Sequence, residues 1–371
     1  MTQAELADLV PANIRTLAPY LPGKPVAEVE RELGISGAIK LASNENPMGP
    51  SPRAIAAAAA ALPAAHDYPD AGTFSLRRAL AAKLKIQPEE LCIGAGSNEL
   101  ISLIVTAFCR PGKDEVLTHR AAFLSYRLAA AASGVDFVEA EITEDLACDP
   151  DALIAGITPR TKIVFLANPN NPTGAHVGTA AFERILAAMP DHAILVVDEA
   201  YHEYAAGTGT YPSSADYRSE SRPLILTLRT FSKAHGLAGL RVGYAIGDPA
   251  VVDILNRVRR PFNASIVAQA AAEAALSDDD HLARSISVTR EVLAEVAALS
   301  RKLSLTPYPT LANFVCIGIG RPAAEVYEPL LREGVIVRPL GGWGLPDCIR
   351  VSACRPEHLG KVAAAFHKVF G

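Results

Sequence analysis

Along residues 76–247 the hydrophobic positions switch repeatedly between helical spacing and short unbroken runs. LRRALAAKLK (76–85) has apolar residues spaced for one helix face and predicts an amphipathic helix, and ELISLIVTAFC (99–109) predicts a more apolar one. Between them LCIG (91–94) reads as a buried strand. EVLTH (115–119), VDFVEAEI (135–142), KIVFLAN (162–168), ILVVDEAY (194–201), PLILTLRTFS (223–232) and VGYAIG (242–247) follow as strands separated by helical segments. Continuous Val/Ile/Leu runs suit strands covered on both faces, the condition of a mainly parallel sheet. Strand–helix alternation then requires crossover connections, which fold right-handed into a layered α/β domain.

On either side of that block the pattern changes. Pro11, Pro19, Pro22 and Pro25 limit regular structure near the start, so residues 1–45 are expected to form an arm lying across another part of the protein. From residue 256 a long Ala/Leu/Glu/Arg stretch (264–303) predicts extended helix. Strands at ANFVCIGI (312–319), EGVIVRPL (333–340) and CIRVSAC (348–354) follow, with a closing helix at 358–370. The expected organisation is an α/β protein, with a mainly parallel central sheet in a large domain over 46–255 and a smaller α+β domain over 256–371.

Composition narrows the classes of function. Half of the 371 residues are hydrophobic and 20% are charged, as in globular proteins. A formal net charge of −5, with Lys and Arg scattered, argues against a nucleic-acid surface. The Ala-rich stretch 54–65 is shorter than the roughly 18 residues of a membrane span, is broken by Pro63, and reads as a surface helix. The opening MTQAELADLV lacks the cationic start and apolar core of a signal peptide. Cysteines 92, 109, 148, 316, 348 and 354 show neither CxxC spacing nor histidine partners, so no metal is expected. Reduced core thiols in the cytoplasm are the expectation, with no membrane association.

Four segments carry candidate chemistry. Thr230-Phe231-Ser232-Lys233 follows a buried strand, which puts Lys233 at a strand end, where α/β proteins gather ligands. The hydroxyls of Thr230 and Ser232, with Arg241 downstream, suit an anion such as phosphate, and a desolvated lysine amine suits attack on an aldehyde. Asp198 ends the run Leu195-Val196-Val197. An anion there would keep a pyridine nitrogen protonated and make the ring an electron sink. Tyr201, three residues on, would bond a ring hydroxyl. Helix capping for Asp198 and core packing for Tyr201 are the plain alternatives. In Asn168-Pro169-Asn170-Asn171-Pro172-Thr173-Gly174 two Asn-Pro steps hold the backbone extended and fix one amide, that of Asn171. Finally, Gly94-Ala95-Gly96-Ser97-Asn98 joins a strand to a helix. Its glycines permit close backbone approach and its helix start attracts phosphate, although a simple turn capped by Ser97 or Asn98 reads equally well.

Together these segments resemble the fold-type I aminotransferases that use pyridoxal 5′-phosphate (PLP), and among them the histidinol-phosphate aminotransferase family. The resemblance extends over nearly the whole chain, from Pro19-Tyr20-Leu21-Pro22-Gly23-Lys24-Pro25 and Asn44-Glu45-Asn46-Pro47 through Tyr68-Pro69 to Val337-Arg338-Pro339 and Cys348-Ile349-Arg350-Val351. It implies that Lys233 is the Schiff-base lysine and proton shuttle, that Asp198 pairs with the pyridine nitrogen, and that Asn171 and Tyr201 bind the ring hydroxyl. It also implies that Ser97, Asn98, Thr230, Ser232 and Arg241 hold the phosphate, with Tyr68 reaching it from the partner subunit of a homodimer. Phe123 falls where the family stacks an aromatic ring, often Tyr. Arg350 matches the arginine that binds an α-carboxylate, and Arg338 and Tyr20 match residues at the far end of the substrate, including a phosphate. The implied partners are a small-molecule amino donor and a 2-oxo acid. Ser352-Ala353-Cys354-Arg355-Pro356 and Trp343 depart from the family pattern and bear on substrate identity. Aromatic amino-acid transamination, and decarboxylation of a phosphorylated amino acid, are the alternatives on the same scaffold. A PLP-binding regulator would need a module for which the chain has no spare segment.

Overall fold

The computed structural model describes residues 9–15, 17, 23–218 and 223–371. Its first described strand, β1 (Ile39–Lys40), belongs with the C-terminal part of the chain. The next seven make one sheet: β2 (Leu91–Gly94), β3 (Glu115–His119), β4 (Asp136–Ala140), β5 (Thr161–Ala167), β6 (Ile194–Asp198), β7 (Leu224–Thr230) and β8 (Gly243–Gly247). Their order is β2-β8-β7-β6-β5-β3-β4. Neighbours from β7 to β4 run parallel, whereas β8 is antiparallel to both β2 and β7. The sheet is therefore mixed, with a single reversed strand in its interior.

The unbroken apolar runs are explained by cover on both faces. Along β5 and β6, Phe165 and Val196 pack with Ile101, Ile104 and Tyr126 on one side. Val164, Leu166, Leu195 and Val197 pack with Phe182 and Ile185 on the other. Side chains alternate across a strand, so both sides of the alternation must be apolar. Each large aliphatic or aromatic side chain buried this way contributes roughly 1.5–3 kcal/mol.

The C-terminal part is α+β. Strands β9 (Thr306–Pro307), β10 (Phe314–Gly318), β12 (Arg338–Pro339) and β13 (Cys348–Ser352) form an antiparallel sheet in the order β12-β13-β10-β9. Between them in sequence, β11 (Val335–Ile336) pairs in parallel with β1. Ile39 and Leu41 share a core with Val292, Val315, Ile349 and Phe366, so this early segment packs into the smaller sheet. The long helical stretch is two helices rather than one, Ile266–Ala275 and Asp279–Lys302. Asp278 starts the second by accepting from the His281 N–H at 3.3 Å. The Ala-rich segment forms a surface helix, Pro52–Ala61, with Ala54 buried and Ile55 exposed. Among the described residues no helix is long and apolar enough to cross a membrane, and no acidic, His or Cys group could hold a metal. All six cysteines are free and buried.

Candidate active site

The connections after the adjacent strands β3 and β5 leave in opposite directions along the sheet, which opens a crevice at the carboxyl ends of the strands. A cavity of about 680 Å³, partly open to solvent, lies there. Every strand end singled out in the sequence delivers a side chain to it: Ser97 and Asn98 beyond β2, Phe123 beyond β3, Asn171 beyond β5, Asp198 and Tyr201 from β6, and Thr230, Ser232 and Lys233 from β7. Arg241 completes the wall.

One end of the cavity is built for an anion. Thr230 Oγ1 donates to Ser232 Oγ at 3.0 Å, and Arg241 Nη1 reaches the same Ser232 oxygen at 3.3 Å. Arg241 Nη2 approaches the Ala95 carbonyl at 3.4 Å. Gly96 sits where the guanidinium crosses the loop: its φ is +81° and an added Cβ would lie 2.4 Å from Nη2. The helix Ser97–Phe108 begins at this loop with the cap provided by Gly96 rather than by a side chain, so Ser97 and Asn98 keep their polar groups on the cavity wall.

The other end holds a carboxylate. Asp198 Oδ2 accepts from Tyr126 Oη at 2.9 Å, and Oδ1 accepts from the Ala200 N–H at 3.2 Å. Burial pushes the Asp198 carboxyl up to about 6, against the pull of Tyr126, the Ala200 amide and Lys233. Lys233 lies between the two ends, with Nζ 3.4 Å from the Ser43 carbonyl and 5.8 Å from the centre of the Tyr201 ring. Burial, then the charge of Arg350, lowers its amine to about 8. An amine so placed is available as a nucleophile and as a base near neutral pH.

The smaller sheet meets the cavity lining at Asn171, through Arg350 on β13. Its Nη1 donates to Asn171 Oδ1 at 2.5 Å and its Nη2 to the Ala42 carbonyl at 2.6 Å, while its guanidinium stacks 5.3 Å from the Phe314 ring centre. With Oδ1 engaged, the Asn171 amide nitrogen is the end left to address the cavity. Arg338 is half-buried and stands over the Trp343 ring at 5.2 Å, away from the cavity wall. Tyr68 is 81% exposed and stacks on Phe262 at 4.6 Å, so it does not enter the cavity of its own chain. Tyr20 lies outside the described residues.

Two residues of the site have no role in the sequence reading. Asn44 is buried with φ +55°, and its Nδ2 donates to Tyr201 Oη at 2.9 Å. Its backbone N–H and its Oδ1 both meet the Ser352 hydroxyl at 2.9 Å. The polar run Ser43-Asn44-Glu45-Asn46 after a buried strand was the available signal. Tyr126 is the second, and in an Ala-rich helix it reads as core.

Comparison with known proteins agrees with this geometry. The profile of the class I and II aminotransferases matches residues 36–366. Histidinol-phosphate aminotransferase of Anaeromyxobacter sp. (strain Fw109-5) is 45% identical over 364 residues, covering 98% of this chain and 99% of the relative. Histidinol-phosphate aminotransferase 2 of Pseudomonas aeruginosa is 44% identical, covering 97% of each. Among solved structures, histidinol-phosphate aminotransferase from Sinorhizobium meliloti in complex with pyridoxal-5′-phosphate superposes with a TM-score of 0.89 at 28% identity, covering 97% of each chain.

Proposed function

The chain belongs to the class I and II aminotransferases, and from that premise we propose that it converts histidinol phosphate and 2-oxoglutarate into imidazole-acetol phosphate and glutamate, and the reverse. Its cofactor is pyridoxal 5′-phosphate, and the residues present fit that molecule: an anion cradle around Arg241, a buried carboxylate at Asp198, and an amine at Lys233 line one cavity. The observation that carries the substrate reading is identity of 44–45% over nearly the full length to relatives of that activity.

When bound, the cofactor supplies an electron sink for the bonding pair of the substrate α-carbon. In this reading Lys233 binds the cofactor covalently and moves the proton at the substrate α-carbon. Asp198 holds a proton at the ring nitrogen, Asn171 and Tyr201 address the ring oxygen, and Phe123 covers one ring face. Ser97, Asn98, Thr230, Ser232 and Arg241 bind the cofactor phosphate. Histidinol phosphate has no carboxylate; its phosphate ester sits on the carbon next to the amine-bearing one. In 2-oxoglutarate a carboxylate occupies that position, and the planar fork of Arg350 accepts either group. By the family resemblance Arg338 and Tyr20 are assigned to the far end of the substrate.

Half-reactions followed by the cofactor's visible absorption test this reading. Histidinol phosphate and glutamate are expected to react fastest. A tenfold or greater preference for phenylalanine would replace the reading with aromatic transamination. Release of CO₂ would instead mark a decarboxylase.

We also propose a homodimer with an arm over 1–45, a large domain over 46–255 and a small domain over 256–371. Tyr68 and Phe262 form an exposed aromatic pair, 81% and 43% accessible, and a second copy covering it would bring Tyr68 to the partner's phosphate end. Sedimentation at micromolar concentration checks this: a fully active monomer overturns it. Six buried free thiols suit a reducing compartment such as the cytoplasm.

A further inference from the structure

We infer that Tyr126 is a positioning residue for the cofactor's ring nitrogen, acting through Asp198. The inference rests on the PLP-binding site and not on the identity of the substrate. Tyr126 is fully buried, in the helix Leu124–Ala132 that follows Phe123. Its ring stacks on Phe165 at 4.4 Å with parallel planes and meets Phe123 edge-on at 5.8 Å. These contacts leave its hydroxyl one target, Asp198 Oδ2 at 2.9 Å.

The geometry of that contact sets its consequence. A carboxylate accepts only, so the Tyr126 O–H is the donor. The Ala200 N–H occupies the other oxygen at 3.2 Å, so each Asp198 oxygen is held by one protein donor and the carboxylate plane is fixed before any ligand arrives. Burial favours the neutral carboxyl, and these two donors oppose it. Phe123 and Tyr126 are three residues apart, so one rigid turn sets both the ring-stacking group and the support of the carboxylate. Without the Tyr126 donor Asp198 becomes the stronger base and draws the ring proton toward itself. The ring then carries less positive charge and withdraws electrons less strongly.

Tyr126→Phe removes one oxygen and keeps the ring packing, and Tyr126→Leu serves as the packing control. The Phe variant is expected to fold, to retain PLP and to lose roughly 10- to 100-fold in the rate of the glutamate half-reaction, the range of a hydrogen bond to a charged group. Its KM for glutamate is expected to stay within about threefold. Two readouts do not depend on turnover. The pH at which the visible absorption of bound PLP changes is expected to move upward by about one unit, because a less positive ring leaves the lysine-bound nitrogen easier to protonate. The cofactor-free protein is expected to lose stability over a pH range extending above that of the parent, because Asp198 is no longer held ionised. A rate loss with neither pH readout moved would mean that Tyr126 only packs, and wild-type behaviour in all three would overturn the inference outright. Slow glutamate turnover by the parent with an intact upward shift in the variant would count against the substrate reading and leave this one standing.

Discussion

Asp198 and Glu199 are adjacent carboxylates at the end of β6, and the protein treats them in opposite ways. Asp198 faces the cavity with two neutral donors, and its carboxyl is pushed up to about 6. Glu199 faces the other side of the sheet, where Arg229 Nη2 meets Oε2 at 2.8 Å and the Ser214 N–H donates to Oε1 at 2.6 Å. Burial pushes Glu199 up as well, but Arg229 and His202 overcome it and hold the group at about 2. Depth is the same for both, so burial does not separate the carboxylate on the cavity from the one in the ion pair. The distinguishing feature is a permanent cation, present for Glu199, whereas the proposed partner of Asp198 is the cofactor's ring nitrogen. A site kept ready for a ligand is held at a cost to the empty protein, and the neighbouring ion pair braces the strand end that carries it.

The most severe test is Asp198→Asn. It keeps the shape and removes the charge, and transamination is expected to fall by roughly a thousandfold, in the range found when a preorganised charge is lost from an active site. The cofactor-free protein is expected to melt at the same temperature or higher, since a buried charge has gone. A rate loss matched by a large drop in melting temperature would erase the distinction between the two carboxylates. Glu199→Gln is the mirror image. It strands Arg229, which is nearly fully buried, and is expected to cost about 3–5 kcal/mol of stability by denaturant titration. The folded fraction should retain most of its activity per molecule. If the Gln protein is as stable as the parent, the brace is not one.

This pair also shows what was legible beforehand. Period-2 alternation in Leu195-Val196-Val197-Asp198-Glu199 already puts the two acids on opposite faces, and a strand end after an apolar run marks Asp198 for a ligand. The same logic located Asn171, Lys233 and the Ser97 loop, because each sits at a strand end and strand ends are visible as the end of an apolar run. Partners supplied from distant sequence were not visible. Arg229 is 30 residues from Glu199, and Tyr126 is 72 residues from Asp198, so neither pairing leaves a local trace. The reversal of β8 was hidden for a related reason: an apolar strand looks the same in either direction. The split of the long helix at Ser277-Asp278 was more accessible, since Asp278 opens a run of three acids suited to a helix start.

The pH dependence of the cofactor-free protein separates the two groups by sign. Asp198 titrates near 6 when folded against an ordinary 3.8, so its stabilising protonated form is fully present below 3.8 and is lost as pH rises through 6. Glu199 titrates near 2 against an ordinary 4.5, so its contribution is present above 4.5 and is lost as pH falls toward 2. Each shift corresponds to about 3 kcal/mol as an order of magnitude. Stability curves of the parent, Asp198→Asn and Glu199→Gln between pH 3 and pH 8 should differ accordingly. The Asn variant flattens the decline above pH 4, and the Gln variant flattens the rise below it. Addition of PLP is expected to remove the decline in the parent and to leave the acid limb unchanged.

The finest distinction comes from two serines that undergo one identical change. Ser213 accepts from Arg229 Nη2 at 3.0 Å on the braced side, and Ser232 accepts from Thr230 and Arg241 on the cavity side. Conversion to Ala deletes one hydroxyl in either place. On the braced side Arg229 keeps its Glu199 partner, so Ser213→Ala should cost only about 1 kcal/mol, a shift of a few degrees in melting temperature, with PLP affinity unchanged. On the cavity side the hydroxyl is proposed to be held for the cofactor phosphate, so Ser232→Ala should leave the cofactor-free protein equally stable and weaken PLP binding by roughly tenfold in equilibrium dialysis. Equal effects on stability from both changes would mean that the cavity hydroxyls serve the fold itself, and the anion cradle would then need another explanation than a phosphate.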